Sequence, residues 1–197
     1  MNRKSRKERE RMFVRMGGEA LKDHAILPGS VEGRWQIGRP GSGFYRAEII
    51  VTYCNSLIVH GDVELVNFSS YSGPGGARGV VRWVAKSSPD YLATKAARGT
   101  GRCVAYCWDP DVALDDAGDR IEYAGKDPES CPEGWIEDWK AVCRAISRGD
   151  HQHEVQQLIY EKTGDCELVD IGTCESPAVM WAWLVVGKLH ELLGGEE

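Results

Sequence analysis

Apolar and polar residues alternate with period two through much of the stretch from Gly33 to Lys86, and that period places successive side chains on opposite faces of a strand. "RWQIG" (Arg34 to Gly38) reads as a strand, and "RPGSG" after it reads as a turn, because Pro40 and the following glycines continue neither a helix nor a ladder. "FYRAEIIVTY" gives the cleanest alternation. Tyr45, Ala47, Ile49, Val51 and Tyr53 face one way, Arg46, Glu48 and Thr52 the other, with Ile50 as the exception. "CNS" (Cys54 to Ser56) turns the chain, which returns through Leu57, Ile58 and Val59 to His60-Gly61-Asp62. Gly61-Asp62 fits a two-residue hairpin loop, or a glycine bulge in one strand running to Phe68, so residues 45 to 68 are expected as antiparallel strands with His60 at a strand end. "SGPGGARG" (Ser72 to Gly79) reads as a further hairpin loop and "VVRWVAK" (Val80 to Lys86) as another strand.

Elsewhere the period is 3.6. Ser88-Pro89 opens a short helix, "PDYLATKAAR", which Gly99 ends. Trp135, Ile136, Trp139, Val142, Cys143 and Ile146 form one helical stripe, and Val155, Leu158 and Ile159 form a second before Gly164. A third helix runs from Ser176-Pro177 to about Leu193 and is apolar all round over its first half. Such a helix needs cover on every side, expected from the helices at 133 to 148 and 151 to 163 or from a second copy of the chain. The fold class that follows is α+β, an antiparallel β-meander packed with a three-helix C-terminal part. The expected divisions are a charged N-terminal helix or arm over 1–25, a β-rich part with one short helix over 31–108, an acidic loop over 109–130 and a helical part over 131–197, with 31–197 as one compact domain.

Charge and composition narrow the partners. The chain has 197 residues and a formal net charge of −6, so nucleic acid or an anionic membrane requires a local basic patch working against the overall field. The basic N-terminal stretch "RKSRKERER" is such a patch, and its plainer reading is a solvated helix end. The longest apolar run, "AVMWAWLVV", is nine residues, short of the roughly 18 to 20 of a membrane span. The N-terminus lacks the apolar core of a secretory signal, and the seven cysteines read as reduced thiols of a cytoplasmic protein.

Candidate chemistry is sparse. Cys103 and Cys107 on a strand lie about 13 Å apart at roughly 3.3 Å per residue, too far to share a zinc ion. The run Asp109, Asp111, Asp115, Asp116, Asp119 lacks the glycine and glutamate spacing of a calcium loop and reads as solvated loop. "GPGGA" lacks the serine of a nucleophile elbow, and no cysteine sits in a motif that selects it as a nucleophile. No cofactor and no metal is therefore expected.

What remains is a set of polar residues near strand ends, Arg39, Ser42, Tyr45, His60 and Asp62, followed by Asp90, Tyr91 and Lys95. "RWQIGRPGS..Y", then "HGD", then "DYLATK" resembles small proteins encoded by bacteriophages and prophages, in which an Arg-Pro-x-Ser strand leads to a Gly-Asp hairpin and a short Asp-Tyr helix. The resemblance spans about residues 34 to 98 and brings no assigned activity to carry over onto Arg39, Gly61, Asp62, Tyr91 or Lys95. It implies a phage-borne protein in a bacterial cytoplasm.

The leading expectation is a non-enzymatic accessory protein that binds a host protein or complex, with inhibition of a defence system of the CRISPR-Cas or restriction type as its concrete form. Seven tryptophans supply anchors of the kind that carry binding energy. Two alternatives come from other classes. One is a small-ligand or nucleotide-binding protein or enzyme with a pocket around Arg39, Tyr45, His60 and Asp62. The other is a nucleic-acid-binding regulator that uses the N-terminal arm.

Overall fold

The computed structural model describes residues 6–43, 46–62, 65–69, 71–101, 105–163 and 171–195. The chain divides into two compact units. One comprises residues 10–107 and 175–197, the other residues 1–9 and 108–174. The chain passes from one to the other within helix α1 (Arg6–Leu21) and within the short paired strands β6 (Tyr106–Trp108) and β7 (Thr173–Glu175).

The larger unit is built on a five-stranded antiparallel meander whose strands adjoin in chain order, β1 (Ala25–Ile26), β2 (Arg34–Gly38), β3 (Ala47–Val51), β4 (Leu57–Gly61) and β5 (Val66–Phe68). The register aligns Gln36 with Glu48 and Glu48 with His60, and Trp35 with Ile49 and Ile49 with Val59. One face therefore collects Trp35, Ile37, Ala47, Ile49, Leu57, Val59, Val66 and Phe68 into the core, while Arg34, Gln36 and His60 stand exposed on the other. The expected α+β class and antiparallel meander are what the sequence folds into. Tyr53 departs from its strand, because β3 ends at Val51 and Tyr53 is fully exposed in the turn, which Asn55 closes by donating its backbone N–H to Thr52 O at 3.0 Å.

Three helices build the other side of this core. α2 (Gly76–Lys86) buries Val80, Val81 and Val84, α3 (Pro89–Gly99) buries Leu92, Ala93 and Ala96, and α7 (Pro177–Leu192) packs chiefly against both. The loop expected over 72–79 is helical from Gly76 on, and the strand expected over 80–86 is the rest of that helix. Val80 and Val84 fit either period over so short a run, and the adjacent Val81, buried with them, completes a stripe at i, i+1 and i+4 that decides for the helix. Within this unit the helix apolar all round packs chiefly against α2 and α3, and also against β1 and β5.

The smaller unit packs α4 (Pro110–Lys126), α5 (Trp135–Arg148) and α6 (Gln152–Thr163) around Ala113, Ala117, Trp139, Val142, Ile146, Val155 and Ile159. The acidic loop expected over 109–130 is mostly α4. Asp109 is its N-cap, accepting N–H groups from Asp111 and Val112 at 2.9 and 3.3 Å, Pro110 occupies the first turn, and small apolar residues turn inward at helical spacing. An acidic start also suits the positive end of the helix dipole. Arg9 binds the same Asp109 carboxylate at 2.6 Å.

Candidate functional site

Two turns meet at one end of the meander. After β2 the Arg39–Ser42 turn places Pro40 second and Gly41 third at φ 77°, the dihedral sign a type II turn demands there, and Ser42 N–H donates to Arg39 O at 3.1 Å. After β4 the chain passes Gly61, which faces Ala47 in the ladder, and reaches Asp62. Asp62 N–H donates to Arg46 O at 3.2 Å, and Asp62 Oδ2 accepts the Arg46 N–H at 3.2 Å. The aspartate thus ties off the β3–β4 ladder. Gly61 is required beside it, since a Cβ there would overlap the Arg46 carbonyl oxygen. His60-Gly61-Asp62 is first the place where the sheet turns.

The same residues line two adjoining clefts. Glu19, Ala20, Lys22, Asp23, His24, Arg39, Ser42 and Asp62 enclose about 590 Å³ between the end of α1 and the two turns. Leu27, Gln36, Arg46, Ala47, Glu48, His60, Gly61 and Asp62 enclose about 410 Å³ along the outer face of the sheet. Asp62 borders both. In the first cleft the cations are already engaged, Lys22 with Glu19 at 3.1 Å and Arg39 with Asp23 at 3.5 Å, and three carboxylates stand against two cations. In the second, Arg34 binds Glu48 at 2.7 Å, and that hydrogen bond, helped by Gln36, holds the Glu48 carboxyl below its ordinary range. These clefts offer ion pairs and a serine hydroxyl. The first, with its excess of carboxylate, suits a small polar ligand with a cationic group better than a phosphate.

Of the candidate residues, Arg39, Ser42 and Asp62 therefore converge on one cleft, and His60 joins Asp62 in its neighbour. Tyr45 lies outside the described residues, as does Cys103 of the cysteine pair. Among the described residues no cluster of three or more histidine, cysteine or acidic side chains is placed to hold a metal ion.

Tyr91 and Lys95 form a separate feature on α3. One helical turn apart, they place the Lys95 ammonium 5.0 Å from the centre of the Tyr91 ring. The Tyr91 ring meets Trp83 of α2 edge-on at 6.3 Å, and Trp83 stacks on Tyr71 at 5.4 Å. Trp83 and Tyr71 are half-buried, whereas Tyr91 is 42% exposed. Trp83 was not among the expected site residues, since only a helical α2 directs its side chain to α3. Glu48, Lys22, Asp23 and His24 were not expected either, and nothing local in the sequence marks them.

Among the described residues no helix is long and apolar enough to cross a membrane. No family model matches the chain, and neither the curated proteins nor the solved structures include one significantly similar to it.

Proposed function

We propose that this is a phage-borne accessory protein of the bacterial cytoplasm that acts by binding a host protein or complex, in its most concrete form an inhibitor of a defence system of the CRISPR-Cas or restriction type. The observation that carries the binding reading is the row Tyr71, Trp83, Tyr91, which runs from half-buried to exposed with Lys95 over its outer ring. Tryptophan, tyrosine and a neighbouring cation are what binding hot spots are made of, because rigid rings bury large area at small entropic cost. The phage provenance rests on the resemblance of residues 34–98, and the defence target on small size, net negative charge, seven tryptophans and the lack of a catalytic motif in the sequence.

The second reading is a small-ligand protein that uses the cleft shared by Arg39, Ser42 and Asp62. Capture of the tagged protein from bacterial lysate, followed by mass spectrometry, separates the two. A stoichiometric host protein retained by Arg39→Ala and lost from Tyr91→Ala supports the binding reading. A small molecule retained by Tyr91→Ala and lost from Arg39→Ala, with no host protein, replaces it by the second.

A further inference from the structure

Residues 76–99 contain Arg78, Arg82, Lys86, Lys95 and Arg98 against the single carboxylate Asp90, in a chain whose net charge is −6. On α2 the cations recur every fourth residue, Arg78, Arg82 and Lys86, all exposed and opposite the buried valines. Like charges at that spacing repel, so the stripe costs the isolated helix stability. Arg78 has a partner in Glu32 at 3.4 Å. Among the described residues no carboxylate pairs with Arg82, Lys86 or Arg98. The crowding of positive charge is felt by His190 of α7, whose imidazole is pushed below its ordinary value first by burial and then by Lys86 and Arg82.

The two helices meet at the Trp83–Tyr91 contact. Arg82 and Lys86 flank Trp83 along α2, and Lys95 and Arg98 follow Tyr91 along α3. An aromatic centre bordered by uncompensated cations is the complement of a hydrophobic residue set in an acidic stretch. We infer that the α2–α3 surface is a docking face for an acidic segment of a partner protein, with Trp83 and Tyr91 receiving an apolar side chain from that segment. The inference rests on the protein-binding reading and adds the chemistry of the partner. A short acidic segment is favoured over a nucleic-acid strand because the rest of the chain carries an excess of negative charge that repels a polyanion extending beyond the patch.

The test uses the full chain and three labelled probes, a short Asp/Glu peptide with one central Phe, the same peptide with Ser for Phe, and an oligothymidylate of equal length, followed by fluorescence anisotropy. The Phe peptide is expected to bind, to bind more tightly than the Ser peptide, and to weaken as salt is raised. Lys86→Glu combined with Arg98→Glu should weaken it by about tenfold or more, and Tyr91→Ala should erase the difference between the two peptides. All three changes lie on exposed side chains, and thermal melts verify that the variants stay folded. Should Lys86→Glu with Arg98→Glu melt early, Lys86→Gln and Arg98→Gln singly take its place, and unaltered peptide affinity in both overturns the assignment. Oligothymidylate bound more tightly than the Phe peptide also overturns it, as does absence of peptide binding. Absence of peptide binding with host capture intact removes only this face as the docking site. Peptide binding with no captured host protein instead removes the broader reading and leaves the acidic-segment chemistry standing.

Discussion

At the scale of single residues, two glycines predict opposite outcomes for one chemical change. Gly61 lies where strand β4 passes the Arg46 carbonyl, with no room for a Cβ, whereas Gly18 lies inside α1 with nothing within 4 Å of the added atom. Gly61→Ala should therefore destabilise by about 1–3 kcal/mol through overpacking, and Gly18→Ala should stabilise by about 0.5–1 kcal/mol through the lower entropy of the unfolded chain. Urea melts of the pair check the sign of each. His190 sets the pH response at the same scale. Its Nε2 is buried without a hydrogen-bond partner among the described residues, and Gly195 N–H donates to its backbone carbonyl at 2.9 Å. Burial, together with Lys86 and Arg82, lowers the folded-state pKa, so as acid is added the unfolded chain takes up its proton first. The contribution is complete above the unfolded value, about 6.5, is lost as pH falls from there through the folded value, and levels off below it. Melts recorded across that window should show stability falling with acid in the parent and a flatter profile in His190→Gln.

At the scale of elements, α7 organises the larger unit. Val179, Ala182, Val185, Val186 and Leu189 are buried, and the half-buried Trp181, Trp183 and Leu184 pack against the same core. Trp183 keeps its indole nitrogen out of water with no acceptor among the described residues, so its contribution is argued from area. Trp183→Ala should cost about 2–3 kcal/mol, below the 3–5 kcal/mol of a fully buried ring, as a fall in the denaturant midpoint without a change in slope. The boundaries of α3, α5 and α7 were legible because caps, prolines and terminal glycines coincide with the ends of a 3.6-residue stripe. β2, β3 and β4 were legible because their two faces differ in polarity. α2 was not, because valine favours strands and only packing against α7 fixes its period. α4 was not, because its aspartates hide an inward row of alanines that carries little hydropathy. The site followed the same logic. Arg39, Ser42 and Asp62 converge because turn residues mark both chain reversals, whereas Trp83 reaches Tyr91 only once α2 is a helix.

At the scale of the whole molecule, the two compact units each hold their own hydrophobic cluster. The smaller cluster gathers Val142, Ile146, Val155, Ile159 and Ile171 around its largest side chain, Trp139, fully buried beside Trp135 at a ring separation of 5.9 Å. Among the described residues Trp108, Trp135 and Trp139 find no acceptor for a buried indole N–H, each a cost of about 1–3 kcal/mol that area burial must offset. Trp139 is the largest fully buried side chain there, so truncating it opens the largest cavity. Trp139→Ala should therefore remove about 3–5 kcal/mol, comparable to the whole stability of many small domains. Because the sheet, α2, α3 and α7 share none of the residues that Trp139 packs against in its cluster, the damage should fall unevenly along the chain. Native-state hydrogen exchange on Trp139→Ala is expected to show lost protection in α4, α5 and α6, with the amides of β2 to β4 and α7 close to the parent values. Uniform loss of protection in both units would mean that they unfold as one cooperative body. Trp139→Phe refines the reading, since it keeps an aromatic ring and deletes the unsatisfied N–H. Its cost should be well under half that of the alanine variant, and an equal cost would place the contribution in the fit of the indole itself rather than in buried ring area.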